Sequence, residues 1–219
     1  VVFGENEAEY GNAIEDNEKP TRDQKYYSAE LSIQDLVLGG VPTKDLINDF
    51  GFKLSDLEAY FPVSPYDVEK IGTEVHYLGY YIKWHPQDVY YYSVENSNFM
   101  PNDHRTEGSF SKYSSLDDKI DWLHYHTTII KFGIGRATYD SAQEVRNGDI
   151  TREEGVALIK RFDGEFPQQY IKDCCEYMDI TMQQYHDAIE KFRSPHLWEK
   201  VNGMWKLKKP IWNEVQLNV

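Results

Sequence analysis

The chain has 219 residues, and its 40% of hydrophobic and 15% of aromatic residues can bury the core of one large domain or of a domain with an appendage. The formal net charge of −14 argues against a surface that tracks nucleic acid, because such surfaces neutralise phosphates with basic stripes. No apolar run approaches the roughly 20 residues that a membrane-spanning helix needs. We therefore expect a globular protein with neither nucleic acid nor membrane as a partner.

The cysteines and histidines do not form a metal-binding pattern. Cys174 and Cys175 are adjacent within a helical pattern, which predicts neither a routine disulfide nor a metal-thiolate motif. His124 and His126 would point to different sides of one helix, and the remaining histidines lack ligand spacing. We expect no metal site from these residues, and the low cysteine content favours a reducing, cytoplasmic location.

The first 73 residues combine one predicted strand with an irregular region. Residues 1–11 predict a closing strand of a sheet and the loop that follows it, since apolar residues run into a polar segment. Residues 12–73 predict a loop and a small helical insertion. Its short helices are expected from Ile33 to Gly39-Gly40, after a cap at Thr43, from Leu54 to Tyr60, and from Ser64-Pro65 to Gly72.

Residues 74–200 predict one strand followed by a helical region, and residues 201–219 a tail. The segment from Glu74 to Trp84 is rich in β-branched and aromatic residues, which favour a strand, and His85-Pro86 begins a helix. Apolar periodicity predicts a helix from Leu116 to Ile134, and Gly148 is the expected C-cap of the next one. Capping boxes at Thr151 with Glu154 and at Thr181 with Gln184 begin two further helices, and Pro167 begins the helix between them. In the last helix Tyr185, Ile189 and Phe192 are expected to face inward.

A break between two predicted helices is the first candidate site. Gly133 and Gly135 bracket the break, so backbone there can approach a ligand closely, and Lys131 and Arg136 flank it. Arg136 and Asp140 fall on one face of the following helix. Two interpretations stay open, a network of ion pairs at a tight corner or a corner that binds an anion. A lone GxG is weak evidence for the second, and the chain has neither a GxGxxG nor a Walker-type motif.

Polar segments outside that break are the second candidate. A polar loop carries Arg105 and Glu107 between two helices, and such loops hold binding groups or are simply solvated connections. Glu5, Asn6 and Lys83 follow the two predicted strands, and open α/β sheets bind ligands at the carboxyl ends of strands. We therefore expect the two strand ends to lie close together and to face one cleft with that loop and with the glycine-flanked break.

Longer stretches of the sequence carry a resemblance to a known family. They are GEN and EYG within residues 4–11, YLGYYIKWHPQ at 77–87, the run from RTEGSF to GDITREEG at 105–155, and FRSPHLW at 192–198. In this order they resemble the N-acetyl sugar amidotransferases of bacterial surface-polysaccharide synthesis, including lipopolysaccharide and O-antigen, which belong to the PP-loop ATP pyrophosphatase superfamily. The resemblance covers most of residues 74–200 and the first dozen residues, and it is loose over 12–73.

The resemblance implies a cytoplasmic enzyme that acts on a nucleotide-activated sugar. The enzyme would convert an acetamido group into an acetamidino group, using ATP, magnesium and ammonia from a separate glutaminase and cyclase-like partner. Adenylation would activate the amide oxygen, after which ammonia attacks the imidate carbon and AMP leaves, in an enclosed site where water does not compete. The implied fold class is α/β, the C-terminal part of a Rossmann-like PP-loop fold that is predominantly helical in this portion with few strands.

One departure from the family concerns the phosphate loop. Members carry an SGGxDS-type phosphate loop, and a cysteine-rich segment before it, upstream of the GEN strand, and this sequence contains neither. We therefore expect the chain to be the C-terminal portion of the enzyme, with ATP bound mainly by residues outside it and with no activity on its own. No catalytic residue is assigned within the chain.

The residues expected on the substrate side are the charged and polar groups of the segments above: Glu5, Asn6, Lys83, Arg105, Glu107, Lys131, Arg136 and Asp140. The cations would hold the phosphates of the nucleotide sugar or the pyrophosphate. Glu5 and Asp140 would bind hydroxyl groups or orient ammonia. An alternative function is a noncatalytic helical interaction module that docks the ammonia-producing partner.

Overall fold

The structure is a computed structural model that describes residues 1–5, 15, 18–32 and 35–214. The chain divides into two compact units, residues 1–84 and residues 85–219. Helices supply most of the regular structure in the described residues, and the strands form small two-stranded ladders. None of the described helices is long and apolar enough to cross a membrane.

The first unit consists of short elements. Its strands are β1 (Val2–Phe3), β2 (Val37–Leu38), β3 (Val41–Pro42) and β4 (His76–Tyr77), and its helices are α1 (Thr43–Asn48), α2 (Leu54–Leu57) and α3 (Pro65–Ile71). β1 pairs in parallel with β4, so that Val2 lies opposite His76 and Phe3 opposite Tyr77. Because the pairing is parallel, the chain leaves both strands at the same edge of the ladder.

The segment expected to be a helix from Ile33 to Gly39-Gly40 contains a hairpin instead, and Ile33 itself lies outside the described residues. β2 and β3 pair antiparallel across the two glycines. Gly39 and Gly40 have φ angles of +57° and +83°, the left-handed values that a two-residue hairpin turn requires. Two consecutive glycines thus reverse the chain where the apolar spacing predicted only the end of a helix.

The other short helices of the insertion are confirmed. α2 and the 3₁₀ turn after it span Leu54 to Tyr60, and α3 ends at Gly72, whose φ is +70°. α1 begins at Thr43, but this residue does not cap the helix as expected. Its hydroxyl donates a 2.8 Å hydrogen bond to the carbonyl of Leu36, which ties the helix to the hairpin.

The strand predicted from Glu74 to Trp84 is wrong beyond the two residues of β4. A 3₁₀ turn at Leu78–Tyr80 follows β4 directly. β1 offers partners to two residues only, so the aromatic residues that follow have no described strand to pair with and remain exposed. Lys83 therefore lies in an exposed, irregular segment rather than at the end of a strand.

The second unit is built from helices and one hairpin. Its elements are α4 (Pro86–Asn96), α5 (Ile120–Phe132), α6 (Arg136–Asn147), α7 (Arg152–Phe162), α8 (Ile171–Tyr177), α9 (Met182–Phe192), β5 (Trp198–Val201) and β6 (Met204–Leu207). The core lies between α5, α8 and α9, and its buried residues are Leu123, Ile130, Ile171, Cys174, Cys175, Tyr185 and Ile189. Both cysteines are free thiols inside this core.

Local sequence signals placed several helix ends correctly. Both predicted capping boxes form: the hydroxyls of Thr151 and Thr181 accept from the N–H groups of Glu154 and Gln184. Gly148 ends α6 with a φ of +85°. These signals act within one turn of helix, so no tertiary contact is needed to interpret them.

Three helix predictions differ in detail. α5 begins at Ile120 rather than near Leu116, because Asp118 accepts a 2.7 Å hydrogen bond from the Ile120 N–H. α8 begins four residues after Pro167, which is buried ahead of an intervening turn. Phe192 was expected to face inward but is 64% exposed, since it lies at the end of α9 on an open groove.

The tail predicted at residues 201–219 is wrong over its first part. β5 and β6 form an antiparallel hairpin whose turn is Asn202-Gly203, with φ angles of +52° and +80°. Asn-Gly is the strongest short-range signal for such a turn. The residues after 214 lie outside the described part of the chain.

Candidate functional site

Arg136 is the centre of a polar corner formed by the start of α6, α5 and the preceding loop. Its Nε donates to Asp140 at 2.8 Å, and its Nη1 and Nη2 donate to the hydroxyls of Tyr125 and Ser114, each at 3.2 Å. The guanidinium carbon also lies 5.1 Å from the centroid of the Tyr125 ring. All three guanidinium nitrogens are therefore engaged by groups of the protein.

Arg105 joins the same corner through Ser109. The Ser109 hydroxyl donates to Asp140, and the Ser109 carbonyl accepts from Arg105 at 2.9 Å. Arg105 forms a bidentate pair with Glu165, both contacts at 2.6 Å, and Glu165 also accepts from the Gly108 N–H at 2.9 Å. The hydrogen bond that Arg105 donates to Glu165 raises the pKa of Arg105 above its ordinary value.

The loop that supplies these residues is ordered by its own hydroxyl groups. Thr106, Ser109 and Ser111 are buried, and the Thr106 hydroxyl donates to the carbonyl of Ser114 at 2.9 Å. Gly108, at a φ of +89°, accepts through its carbonyl from the first turn of α6. The loop is thus a built connection that fixes Arg105 rather than a solvated linker.

The remaining predicted residues lie outside this corner or at its edge. Glu107 accepts a 3.2 Å hydrogen bond from the backbone of Gln169, while Lys131 is exposed on the groove between α5 and α9. Glu5 and Lys83 are exposed in the first unit, and Asn6 lies outside the described residues. The cleft predicted to unite them with the polar corner would join the two units and stays a prediction.

A second site, which sequence reasoning missed, is a cavity of about 620 Å³ in the second unit. We call it the tryptophan cavity after Trp198, Trp205 and Trp212, which line it together with Asp163, Arg193 and Lys206. The tryptophans come from β5, β6 and the 3₁₀ turn Ile211–Asn213 that follows the hairpin. The cavity therefore depends on the segment that had been predicted to be a tail.

Two indole hydrogen bonds fix the hairpin beside the helices. Trp198 donates from Nε1 to the carbonyl of Ile130 at 2.8 Å, in the last turn of α5, where carbonyls lack helical partners. Trp205 donates to Glu190 of α9 at 2.7 Å, and this bond lowers the pKa of that carboxyl below its ordinary value. The hairpin is thus fixed to both helices, and the cavity lies between them.

Arg193 is the main charged group of the cavity. Its guanidinium carbon lies 4.5 Å from the Trp198 ring centroid and 5.5 Å from that of Trp205, and its side chain is only 12% exposed. Nε has no hydrogen-bond partner among the described residues, and the nearest carboxylate, Glu190, is 3.8 Å away. Burial lowers the pKa of Arg193, but a guanidinium stays charged at neutral pH.

The carboxylate that lines the cavity, Asp163, already accepts hydrogen bonds from other groups of the protein. Asp163 accepts from the N–H groups of Gly135 at 3.0 Å and Thr138 at 3.2 Å, and also from the Thr138 hydroxyl. Its burial raises its pKa above the ordinary value. The Lys206 backbone pairs with Glu199 in the hairpin, but its side-chain ammonium makes no hydrogen bond or ion pair with the described residues. The cavity thus holds two cations with unused hydrogen-bonding capacity and one satisfied carboxylate.

A family model matches most of the segment that carries the two sites, although Arg105 and Trp212 lie just outside the matched residues. Residues 107–211 match the family model described as LPS biosynthesis protein WbpG-like, C-terminal domain. The match indicates similarity to proteins of lipopolysaccharide biosynthesis. It includes Arg136 and Asp140 of the polar corner and Arg193, Trp198 and Trp205 of the tryptophan cavity. No curated protein matched the chain.

The sequence contained two signals for the missed cavity. The first is the tryptophans at 198, 205 and 212, which recur every seven residues and concentrate aromatic surface in a short segment. The second is Asn202-Gly203, which predicts a hairpin turn between the first two of these tryptophans. The position of Arg193 between two of their rings had no local signal, because β6 and the end of α9 meet only in the folded chain.

Replacing Arg136 with alanine should lower the free energy of unfolding by about 2–3 kcal/mol, because Asp140 would lose its charged partner and the corner three hydrogen bonds. Urea denaturation measures this directly. Arg146→Ala is the matched control, since Arg146 lies exposed on the same helix without a described partner, and it should change stability by less than about 0.5 kcal/mol. Unchanged stability of Arg136→Ala with a raised KM for ATP or sugar would favour the anion-binding interpretation.

Proposed function

We propose that the chain is part of an ATP-dependent amidotransferase of lipopolysaccharide biosynthesis, with a PP-loop fold and a cytoplasmic location. The enzyme converts the acetamido group of a nucleotide-activated sugar into an acetamidino group, using ammonia from a glutaminase partner. The match of residues 107–211 to the WbpG-like C-terminal domain carries this proposal. The order of motifs that resembles the N-acetyl sugar amidotransferases supplies the specific reaction.

The reaction has a simple chemical logic. The amide oxygen attacks the α-phosphate of ATP, which releases pyrophosphate and leaves an adenylated imidate. Ammonia then adds to the imidate carbon, the C–O bond breaks, and AMP departs with the original amide oxygen. The step needs a site closed to water, because water and ammonia compete for the same carbon.

Within this proposal the chain contributes groups on the sugar side of the reaction. The cations of the polar corner are paired within the protein, Arg136 with Asp140 and Arg105 with Glu165, so the cations that line the tryptophan cavity are the ones placed to meet substrate phosphates. The described residues bring together no group of three His, Cys, Asp or Glu side chains that would hold a magnesium ion. We therefore assign no residue of this chain to magnesium, and we place ATP on a phosphate loop that this sequence lacks.

An isotope experiment tests the reaction. The enzyme that contains this chain is supplied with ATP, ammonium and a nucleotide sugar whose acetamido oxygen is heavy-isotope labelled. We expect an acetamidino sugar by mass spectrometry and the heavy oxygen in AMP. The 219-residue chain alone should release neither AMP nor pyrophosphate. Product formation with the label in inorganic phosphate, or no product with any acetamido nucleotide sugar, would overturn the proposed chemistry.

A further inference from the structure

The proposed function does not say which part of the substrate the tryptophan cavity binds. We propose that it binds the nucleoside diphosphate part of the sugar substrate, with the base against an indole ring and the phosphates beside Arg193 and Lys206. The inference rests on the proposed function for the class of substrate. The position of the site rests on the cavity alone.

The cavity has the size and the chemistry of a small-molecule site. A volume of about 620 Å³ lies within the roughly 300–1,000 Å³ that ligand pockets span. Such pockets combine aromatic walls with a few polar groups that fix orientation. Three tryptophans and two cations meet this description within one connected cavity.

The charges of the cavity favour an anion. Arg193 stacks on two indoles, and its ion pair with Glu190, at 3.8 Å, is longer than a hydrogen bond. The ammonium of Lys206 is without a side-chain partner among the described residues. Asp163 faces the same cavity, but its oxygens already accept three hydrogen bonds from the start of α6. A diphosphate supplies the acceptors that the two cations lack.

The aromatic groups favour a planar ring beside that anion. The indole nitrogens of Trp198 and Trp205 are bonded to the protein, and Arg193 already lies over both rings. Trp212 makes no hydrogen bond, ring pair or cation contact with the described residues. Its ring is therefore the one available for a nucleobase, because every base has a π face that stacks on an aromatic side chain.

Isothermal titration of the 219-residue chain tests the inference. The probes are UDP, GDP, CDP, ADP and UDP-N-acetylglucosamine, each compared with the matching nucleoside and with inorganic pyrophosphate. We expect at least one diphosphate to bind more tightly than both its nucleoside and pyrophosphate, because base and phosphates contribute together. No saturable binding by any diphosphate, or equal binding by pyrophosphate alone, would overturn the site.

Two variants locate the binding. Lys206→Gln and Trp212→Ala should each weaken the diphosphate about tenfold or more, through loss of a charge and of a stacking surface respectively. Both residues are at least partly exposed, and a thermal unfolding curve verifies that each variant is folded. Lys160→Gln on α7, an exposed lysine outside the cavity, makes the same chemical change and should leave the affinity unaltered. Equal affinity in all three variants would place the binding elsewhere.

The outcomes separate this inference from the proposed function. If the enzyme containing the chain forms the acetamidino product and Lys206→Gln leaves its KM unchanged, the cavity assignment fails and the function stands. If the chain binds a nucleoside diphosphate in the cavity and no amidine ever forms, the reaction fails and the binding site stands.

Discussion

Replacing Asp163 with alanine should lower the free energy of unfolding by about 4 kcal/mol. Asp163 follows α7, and its carboxylate accepts from Gly135 and Thr138 at the first turn of α6, so it caps a helix other than its own. Alanine would leave two part-buried N–H groups and one hydroxyl without an acceptor, and each such loss costs about 1–3 kcal/mol. Chemical denaturation measures the difference.

A second substitution tests the same contact from the opposite side. A Cβ on Gly135 would lie 2.7 Å from an oxygen of Asp163, closer than packed atoms allow, so Gly135→Ala should displace the carboxylate and destabilise the protein by about 2 kcal/mol or more. The control is Asp117→Ala, which removes an exposed carboxylate without a described partner. If Asp163→Ala and Asp117→Ala had the same stability, the cap would have no energetic role.

The free energy of unfolding should fall by about 3 kcal/mol on account of His126 alone as the pH drops from about 6.5 to about 4. Burial lowers the pKa of His126 to about 4, and electrostatic interactions with Arg193 and His186 act in the same direction. Its Nδ1 shares a 2.7 Å hydrogen bond with the Tyr185 hydroxyl inside the core. The unfolded chain binds the proton first, so acid favours unfolding.

Denaturation curves at several pH values isolate this effect. We expect the free energy of unfolding of wild type to exceed that of His126→Gln by its full margin above about pH 6.5. This margin should be lost on acidification, because glutamine does not titrate. His196→Gln is the control, since His196 is exposed and its removal should leave the pH dependence as in wild type. If the stability of wild type and of His126→Gln changed with pH in the same way, His126 would have the same pKa in the folded and unfolded states, and the prediction would be wrong.

The features that could be predicted from the sequence are the local ones. The capping boxes at Thr151 and Thr181 and the glycine after α6 each act within a few residues, and all three form as expected. The two hairpins show the limit of apolar periodicity. Their turns, Gly39-Gly40 and Asn202-Gly203, reverse the chain through left-handed backbone, which the spacing of apolar residues does not report.

The candidate sites depend on contacts that no local pattern encodes. Arg136 and Asp140 are four residues apart on one helix, so their pairing could be anticipated. Arg105 and Glu165 are separated by 60 residues, and only the folded chain shows that their charges neutralise each other. Arg193 likewise looks like an ordinary cation at a helix end until β5 and β6 fold over it.

The indole of Trp198 reaches back 68 residues to the carbonyl of Ile130, and this has a consequence for how the chain is made. Contacts of such long range form late, because the intervening loop must lose its conformational freedom first. α6 and α7 need only a short connection to meet and can pack early. During synthesis on the ribosome, α6 and α7 can therefore pack together before the tryptophan cavity exists. A nascent chain halted before residue 198 should be helical and yet unable to retain a ligand there.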